Sequence, residues 1–485
     1  MNYKNLSHLN NLTDTIIMHA IFIAVNIIML SNLISKEVII YPDSQGYIQN
    51  IPVRSPTYPL LLDLFETIFG ANYLAKVVIF QIMICFAAVL IISLTIKNYF
   101  KLGWIIFYIT YLLFLFPIFP FSFSINNISS QIQFGYGAQY IANGIATEPL
   151  AYSLFLITIS IMIANIFKPR LTGLIYLFFF SALTATVRPQ FIFLYLINVL
   201  FIGYFLFKTK NIRKSAIAGI LLMLFMLGAS IYQKTYNYIL YDSFAGISFT
   251  GVQLITPQLY LSDSSYIRFF QTKEEIAFLE KIYPKMETER LNYGANNPPT
   301  IQNYGEVYNK ICHNTVAQTF AIMHHVKGNF FKIYSDPELL PQLDQLTTSI
   351  ALKLMLANYS KFAEFYTSSI ADYMAAGVSF IIDMGRYYTL FLLIQLGFFT
   401  YLYLKTRQVL FFAFLCINIV HFMNYGLVML VEVVMIRYSF YTDILQLVFQ
   451  FIIFYYIIRF ISNNLFIFKN KLVSLFKSDR LYKFE

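Results

Sequence analysis

Apolar stretches of about 20 residues recur along the whole chain and constrain its fold more than any other feature. As a helix, each stretch is long enough to cross a bilayer core roughly 30 Å thick. The strands of a membrane β-barrel would instead read as segments of about 10 residues with alternating polarity. Only 12% of the residues are charged, whereas a soluble domain carries about 25%. We therefore predict an all-α fold, a polytopic transmembrane helix bundle.

The apolar pattern predicts ten membrane spans. They are 16–34, 75–96, 102–121, 148–167, 171–187, 189–207, 215–233, 387–404, 408–428 and 438–461. Two further apolar pieces, 244–261 and 365–382, would make twelve if both entered the membrane. The chain then divides into an N-terminal transmembrane module (1–233), an extracytoplasmic helical segment (234–386) and a C-terminal transmembrane module with a basic tail (387–485). The first span lacks a small-residue cleavage site, so we interpret it as retained.

Basic residues, which give the chain a formal net charge of +10, lie in short clusters between the spans. With the N-terminus inside, five clusters fall on the cytoplasmic side: Lys97 and Lys101; Lys168 and Arg170; Lys208, Lys210, Arg213 and Lys214; Lys405 and Arg407; and the tail Lys469, Lys471, Lys477, Arg480 and Lys483. The positive-inside rule explains this better than a nucleic-acid-binding surface does. We predict a multi-pass protein of the cytoplasmic (inner) membrane with both termini cytoplasmic, in contact with the lipid bilayer and not with nucleic acid.

The extracytoplasmic segment contains 14 of the 24 acidic residues of the chain. Its patterns predict helices at 273–283, 306–334 and 337–366, the last after an Asp-Pro start signal. No internal repeat is evident, which gives little support to a transporter built from inverted repeats.

The first external loop carries an aspartate, Asp43, a few residues beyond the first span. A carboxylate at this boundary can act as a general base on a hydroxyl group, because partial desolvation raises its pKa. The alternative is an ordinary loop aspartate or a helix cap. Residues 58–70 form an amphipathic pattern in which Asp63 and Glu66 oppose the apolar face, so we expect a helix in the membrane interface with both acids solvated.

The predicted topology brings several ionisable residues to the outer face of the membrane. They are Asp43, Arg54, Glu148, Arg188, Glu432 and Arg437. Acids can accept a proton, and arginines offer forked donors that suit a lipid phosphate. The alternative is structural: a Glu432–Arg437 ion pair, and Arg188 as an interface anchor. Asp443, inside the last span, is expected to pair with an arginine.

Four short motifs resemble the GT-C superfamily of membrane-embedded glycosyltransferases, whose members include protein O-mannosyltransferases and the aminoarabinose transferase of lipid A. The motifs are Asp43-Ser44-x-x-Tyr47 with Arg54-x-Pro56-x-Tyr58-Pro59-Leu60, Thr147-Glu148-Pro149-Leu150, Val187-Arg188-Pro189, and Glu432 with Arg437-Tyr438. The resemblance implies transfer of a sugar from a polyprenyl-phosphate donor to a lipid, glycan or protein acceptor on the extracytoplasmic face, with inversion. It implies that Asp43 is the catalytic base.

The remaining roles follow from residue chemistry at the same face. Glu148 is the second catalytic candidate, Arg54, Arg188 and Arg437 would bind the donor phosphate, and Tyr47, Tyr58 and Glu432 would support them. Gln45 stands two residues after Asp43, where a second acid would complete a two-carboxylate metal clamp. We therefore assign no metal ligand, and a divalent metal cofactor stays open.

Three other functions are alternatives to the transferase. An envelope polysaccharide polymerase or ligase also couples many spans to a large outer loop. A transporter or flippase would carry charges along several spans near mid-bilayer, whereas the charges here gather at the outer boundary. A non-catalytic assembly factor would not need Asp43.

Overall fold

The computed structural model describes residues 3–41, 43–118, 141–246, 249–297, 301–328, 330–379, 387–431 and 436–481. Within these ranges the fold is all-α, as predicted: no strand is present, and the one β-bridge joins Ile39 to Gly144. The N-terminal helices are α1 Tyr3–Ile34, α2 Ser44–Ile48, α3 Thr57–Phe69, α4 Tyr73–Tyr99, α5 Trp104–Leu115, α6 Thr147–Phe167, α7 Leu171–Val187, α8 Phe193–Thr209 and α9 Ile212–Tyr241.

Shorter helices follow, and then three long ones. The short set is α10 Thr250–Tyr260, α11 Lys273–Thr288, α12 Tyr293–Asn296, α13 Ile301–Asn309, α14 Gln318–Met323, α15 Phe331–Tyr334, α16 Leu339–Ala357 and α17 Tyr359–Ser379. The long set is α18 Tyr387–Thr406, α19 Val409–Val431 and α20 Ile436–Leu481. Five 3₁₀ turns lie at Gly70–Asn72, Phe116–Ile118, Ile141–Asn143, Pro189–Ile192 and Ser264–Phe269, and Lys310–Ala317 is π-helical.

Each of the ten predicted spans overlaps one of these helices, and residues 119–121 at the end of the third span lie outside the described residues. In the described part of the chain, eight helical stretches are long and apolar enough to cross a membrane. The other two predicted spans correspond to shorter apolar helices, Trp104–Ile118 and Leu171–Val187. A multi-pass helix bundle is therefore the fold of this chain.

Short turns join the helices at the end of the bundle that carries the basic clusters. Lys210 follows α8 in the left-handed conformation (φ 55°), and the Asn211 side chain accepts a hydrogen bond from the Lys214 backbone N–H at 2.9 Å, which caps α9. Arg407 adopts the same left-handed conformation (φ 56°) between α18 and α19. Because these turns are so short, the helices on either side of each turn run in opposite directions.

The buried side chains form two hydrophobic cores. One lies among α3 to α9 and parts of α18, α19 and α20, with Leu33 of α1. The other is built by the segment from Val252 to Met374 and includes one end each of α18 and α19 through Tyr388, Leu392, Tyr425, Val428 and Met429. The segment predicted to be extracytoplasmic thus has its own core and packs on one end of the bundle.

The two apolar pieces that could have added spans belong to this second core. The first becomes α10, which has only 11 residues and crosses α16 closely. A Cβ at Gly251 would lie 2.2 Å from the Asp344 carbonyl oxygen, so glycine permits that crossing. The second becomes most of α17, whose Phe365 and Met374 are buried in the second core. Neither helix is among the stretches that could cross a membrane.

The continuous helix predicted for 306–334 is wrong. The chain there is broken into α13, the π-helical turn and α14, and it then leaves the helix at His325 (φ 55°) and Gly328 (φ 111°) before α15 begins. Gly328 adopts a backbone conformation that side-chain-bearing residues rarely reach. The break folds α15 back toward the π-helical turn, where Tyr334 contacts His313.

Candidate functional site

The first external loop is tied to the start of α6 by a set of hydrogen bonds. Ile39 and Gly144 form the parallel bridge, in which the Ile39 N–H donates to the Asn143 carbonyl oxygen at 2.9 Å and the Ile145 N–H donates to the Ile39 carbonyl oxygen at 3.0 Å. The Ser44 hydroxyl donates to the Ile145 carbonyl oxygen at 2.5 Å and accepts from the Tyr41 N–H at 2.8 Å. Asp43 stands directly before Ser44, so these bonds fix it close to the N-terminus of α6.

Two glycines allow the close approach of these segments. A Cβ at Gly144 would lie 2.1 Å from a ring carbon of Tyr41, which leaves no room for any other residue. A Cβ at Gly46 would lie 2.8 Å from Arg54 Nε, so the arginine side chain passes directly over the short helix α2.

Asp43 and Arg54 form an ion pair at this loop. The Arg54 Nη2 donates to Asp43 Oδ1 at 2.8 Å, and the guanidinium carbon lies 4.7 Å from the centre of the Tyr47 ring. The Asp43 side chain is 34% exposed and that of Arg54 is 25% exposed. This carboxylate is therefore ordered by its partner and still accessible from outside.

Glu148 and Arg188 form a second ion pair, deeper in the protein. Arg188 Nη1 lies 2.7 Å from Glu148 Oε1, and the two side chains are 9% and 14% exposed. Glu148 occupies the first turn of α6, where a negative charge is favoured by the helix dipole. Arg188 lies directly between α7 and the 3₁₀ turn that starts at Pro189, and its Nε donates to Gln190 Oε1 at 2.7 Å.

A chain of polar contacts connects the two ion pairs. The Tyr47 and Thr147 hydroxyl oxygens are 3.5 Å apart, and Arg188 Nη1 donates to Thr147 Oγ1 at 3.4 Å. Since Arg54 stacks on the same Tyr47 ring, the two arginines are linked through one tyrosine and one threonine. The chain continues into the bundle, where Gln190 Nε2 donates to Asn424 Oδ1 at 3.5 Å.

The two tyrosines predicted to support the site differ in what they can do. Tyr47 contacts Arg54 and Thr147, as described above. Tyr58 is fully buried, its hydroxyl donates to Gln81 Oε1 at 2.6 Å, and its ring packs edge-on against Tyr47 at 5.2 Å. Tyr58 thus holds Tyr47 in place and has no exposed atom to offer a substrate.

The remaining predicted residues lie elsewhere. Glu432 is outside the described residues, and of Arg437 only the backbone, in the first turn of α20, is described. Among the described side chains, Asp443 has no arginine partner of the kind expected. Its carboxylate accepts a hydrogen bond from the Tyr425 hydroxyl at 2.8 Å and lies 3.8 Å from His421 Nδ1.

His313, on the π-helical turn Lys310–Ala317, is a residue that sequence reasoning did not single out. Its ring lies between Phe249 and Phe330, nearly parallel to both at 6.0 and 5.3 Å, and its Nδ1 is 2.7 Å from the Tyr334 hydroxyl. Burial lowers the pKa of the His313 side chain below its ordinary value, and the negative charge of Asp43 opposes this in part. His313 is therefore neutral at neutral pH and within electrostatic reach of Asp43.

The signals that could have found the missed residues differ in strength. Thr147 adjoins Glu148 in a quoted motif, and Gln190 follows Arg188 and Pro189, so both could have been inferred. His313 stands on a π-helical turn, a distortion that often marks functional sites but that the sequence does not announce. Among the residues that the structure describes, no group of three or more His, Cys, Asp or Glu side chains could hold a metal ion.

Comparison with known proteins does not assign the chain to a family: no protein-family profile, no curated protein and no solved structure matches it.

Proposed function

We propose that this chain is a membrane glycosyltransferase that moves a sugar from a polyprenyl-phosphate donor to an acceptor hydroxyl group or amine at the outer face of the membrane. The observation that carries the proposal is the partly exposed Asp43–Arg54 pair, which is joined through Tyr47 and Thr147 to the buried Glu148–Arg188 pair. An accessible carboxylate beside arginines at a membrane boundary suits proton transfer next to a lipid phosphate.

The accessibility of the two acids favours Asp43 as the base. Asp43 is 34% exposed, whereas Glu148 is 14% exposed and already compensated by Arg188 at 2.7 Å. Glu148 borders a cavity of only about 10 Å³, which is about the space of one water molecule. Asp43 is the more exposed of the two acids, so we assign the base to Asp43 and a positioning role to Glu148.

The proposed reaction is a single displacement. Asp43 takes the proton of the acceptor hydroxyl group as its oxygen forms a bond to the anomeric carbon of the sugar. The bond between that carbon and the phosphate oxygen breaks on the opposite side, and the electron pair leaves with the polyprenyl phosphate. Arg54, already beside Asp43, stabilises the negative charge that develops on the leaving phosphate. Arg188 contributes at longer range through the polar chain.

The extracytoplasmic position of the second core fits the same proposal. His313, with its aromatic neighbours, comes from that core and lies within reach of the Asp43 charge. We assign to this part of the molecule the covering of the site and the selection of the acceptor. The basic clusters, at the far ends of the same helices, then lie in the cytoplasm with both termini, and the membrane is the cytoplasmic one.

The test uses purified protein in liposomes with a panel of radiolabelled polyprenyl-phosphate sugars and candidate acceptors. We expect one donor to be consumed, with equal amounts of polyprenyl phosphate and of an inverted glycoside formed. If no donor were consumed but a labelled lipid crossed the bilayer, the flippase alternative would replace the transferase. If neither happened with any donor, the assembly-factor alternative would move ahead.

A further inference from the structure

A groove of about 360 Å³ runs along the side of the bundle between α8, α18 and α19. This volume is within the range of ligand pockets, about 300–1,000 Å³. Its floor consists of the buried side chains of Phe201, Tyr204, Tyr403 and Cys416. Its rim consists of side chains that are about half exposed at the surface of the bundle: Leu200, Phe207 and Leu404. An apolar groove that opens sideways from a membrane bundle faces lipid.

The groove is about as long as one leaflet is deep. On α8 its lining extends from Ile197 to Phe207, and ten residues of helix rise about 15 Å. That is half of a hydrocarbon core of roughly 30 Å. One end of the groove therefore lies near the middle of the membrane and the other at the membrane surface.

One cation lines the surface end of the groove, and two more lie beside its aromatic side chains. Arg407 is part of its lining, and the guanidinium carbon of Arg407 and the Lys210 ammonium lie 5.6 and 4.7 Å from the centre of the Phe207 ring. The Lys208 ammonium lies 5.7 Å from the centre of the Tyr204 ring and 5.9 Å from that of Tyr403. In the described part of the chain, none of these three cations forms an ion pair with an acidic side chain.

A buried hydroxyl group in the floor also points to a polar ligand. The Tyr403 side chain is 8% exposed, and its hydroxyl oxygen has no hydrogen-bond partner among the described residues. Tyr204 beside it is satisfied, because its hydroxyl donates to the Ile166 carbonyl oxygen at 2.8 Å. A buried hydroxyl without a partner is costly, and an ester or phosphate oxygen in the groove would satisfy it.

We infer that this groove binds one anionic glycerophospholipid, with an acyl chain along the apolar floor and the phosphate between Lys208 and Arg407. The position argues against the polyprenyl-phosphate donor as occupant. α8 starts just after the Arg188–Gln190 contact and ends at the basic mouth, so the groove opens at the end of the bundle opposite Asp43. Anionic phospholipids are abundant in the leaflet that faces the cytoplasm, where basic residues attract them. The inference does not depend on the proposed transferase activity.

The first test compares head groups by native mass spectrometry of the purified protein with phosphatidylglycerol or phosphatidylcholine of identical acyl chains. We expect the protein to retain one phosphatidylglycerol in preference to phosphatidylcholine. The double variant Lys208→Gln, Arg407→Gln should lower the phosphatidylglycerol affinity by about 10- to 30-fold, since each cation near an anionic head group contributes about 1 kcal/mol. The matched control is Lys168→Gln, which removes a cation that also lies near an aromatic ring (Tyr99, 5.9 Å) and should change nothing.

The second test fills the groove. A Cβ at Gly203 meets no atom within 4 Å, so Gly203→Leu adds a side chain to the groove without a clash in the helix. It should abolish selective retention while the thermal unfolding of the protein stays unchanged. The control is Gly228→Leu on α9, because a Cβ at Gly228 also meets no atom within 4 Å and this residue lies outside the groove. Three results would each overturn the inference. The wild type could retain both lipids equally, it could prefer polyprenyl phosphate, or Gly203→Leu could retain phosphatidylglycerol as well as the wild type does.

Discussion

The two acid–arginine pairs at one end of the bundle have almost the same geometry and different surroundings. Their closest contacts are 2.8 Å for Asp43–Arg54 and 2.7 Å for Glu148–Arg188. The first pair lies on a loop and is about one quarter to one third exposed, whereas the second is held between two transmembrane helices and is nearly buried. Distance alone would give both pairs the same role.

The difference in exposure separates a reactive pair from a structural one. A partly hydrated ion pair contributes about 0–1 kcal/mol to stability, so either partner can turn to a substrate at little cost. A buried pair whose partner is removed leaves an uncompensated charge, which costs about 3–5 kcal/mol. The same two residue types can therefore serve chemistry at Asp43 and architecture at Glu148.

The largest expected effect is on the buried pair. Arg188→Leu should lower the free energy of unfolding in mixed micelles by about 3–5 kcal/mol, because Glu148 is left buried without its cation. The double variant Glu148→Leu, Arg188→Leu should recover most of that loss. Arg54→Leu should cost less than about 1 kcal/mol. Equal losses for the two arginine variants would remove the distinction between the pairs.

A third ion pair, in the second core, tests whether burial of the acid alone sets the cost in stability. Glu275 is 4% exposed and accepts hydrogen bonds from Lys353 at 2.6 and 2.8 Å and from Ser349 at 2.7 Å, whereas Lys353 is 41% exposed. Burial would raise the pKa of the Glu275 carboxyl group, but these hydrogen bonds outweigh it and lower the pKa below its ordinary value. Glu275→Gln should cost about 1.5–3 kcal/mol.

The lowered pKa of Glu275 predicts that the stability of the fold depends on pH. A carboxyl group with a lowered pKa in the folded state stabilises the fold above its unfolded pKa, and that stabilisation is lost as the pH falls through the folded pKa. The wild type should therefore lose stability below about pH 4.3 more steeply than Glu275→Gln. Glu274→Gln, a change of the exposed neighbouring acid, is the control. If the free energy of unfolding fell equally with acid pH in the wild type and in Glu275→Gln, this carboxylate would not contribute to stability.

The smallest effect is expected from a change that keeps the charge of the exposed pair. Arg54→Lys removes the planar fork and should weaken apparent donor affinity about tenfold, with unfolding unchanged. The readout is KM for the polyprenyl-phosphate donor. Arg268→Lys is the control, since Arg268 is also exposed and lies 5.1 Å from an aromatic ring, that of Phe269. A normal KM in Arg54→Lys would remove Arg54 from the donor site.

Membrane spans could be predicted from the sequence because their signal is local. Each span is a run of apolar side chains long enough for a bilayer, and every predicted run lies on a helix. The two pieces at 244–261 and 365–382 were ambiguous because a helix buried in a soluble core and a short span have the same composition. Only their packing, as α10 against α16 and as α17 in the second core, separates the two cases.

The pairing of the charges could not be predicted, because it depends on contacts between distant segments. The predicted topology placed Glu148 and Arg188 on the same face of the membrane, and from the sequence Arg188 was expected to bind the donor phosphate. In the folded chain Arg188 instead pairs with Glu148 at 2.7 Å. The negative charge of Asp43 acts on His313 although 270 residues separate them in the sequence. Asp443 found a tyrosine and a histidine where an arginine was expected, since the polar side chains of α19 face it.

The most direct test of the account is the transfer rate of Asp43→Asn against that of Glu148→Gln, measured with the same donor and corrected for the fraction of folded protein. The Asn side chain keeps the shape of Asp43 and cannot take a proton, so the rate should fall at least about 100-fold while donor binding persists. Glu148→Gln should lower stability and leave the corrected rate within a few-fold of wild type, and Asp63→Asn on α3 should be nearly silent. Near-normal transfer by Asp43→Asn together with loss of transfer in folded Glu148→Gln would contradict the account.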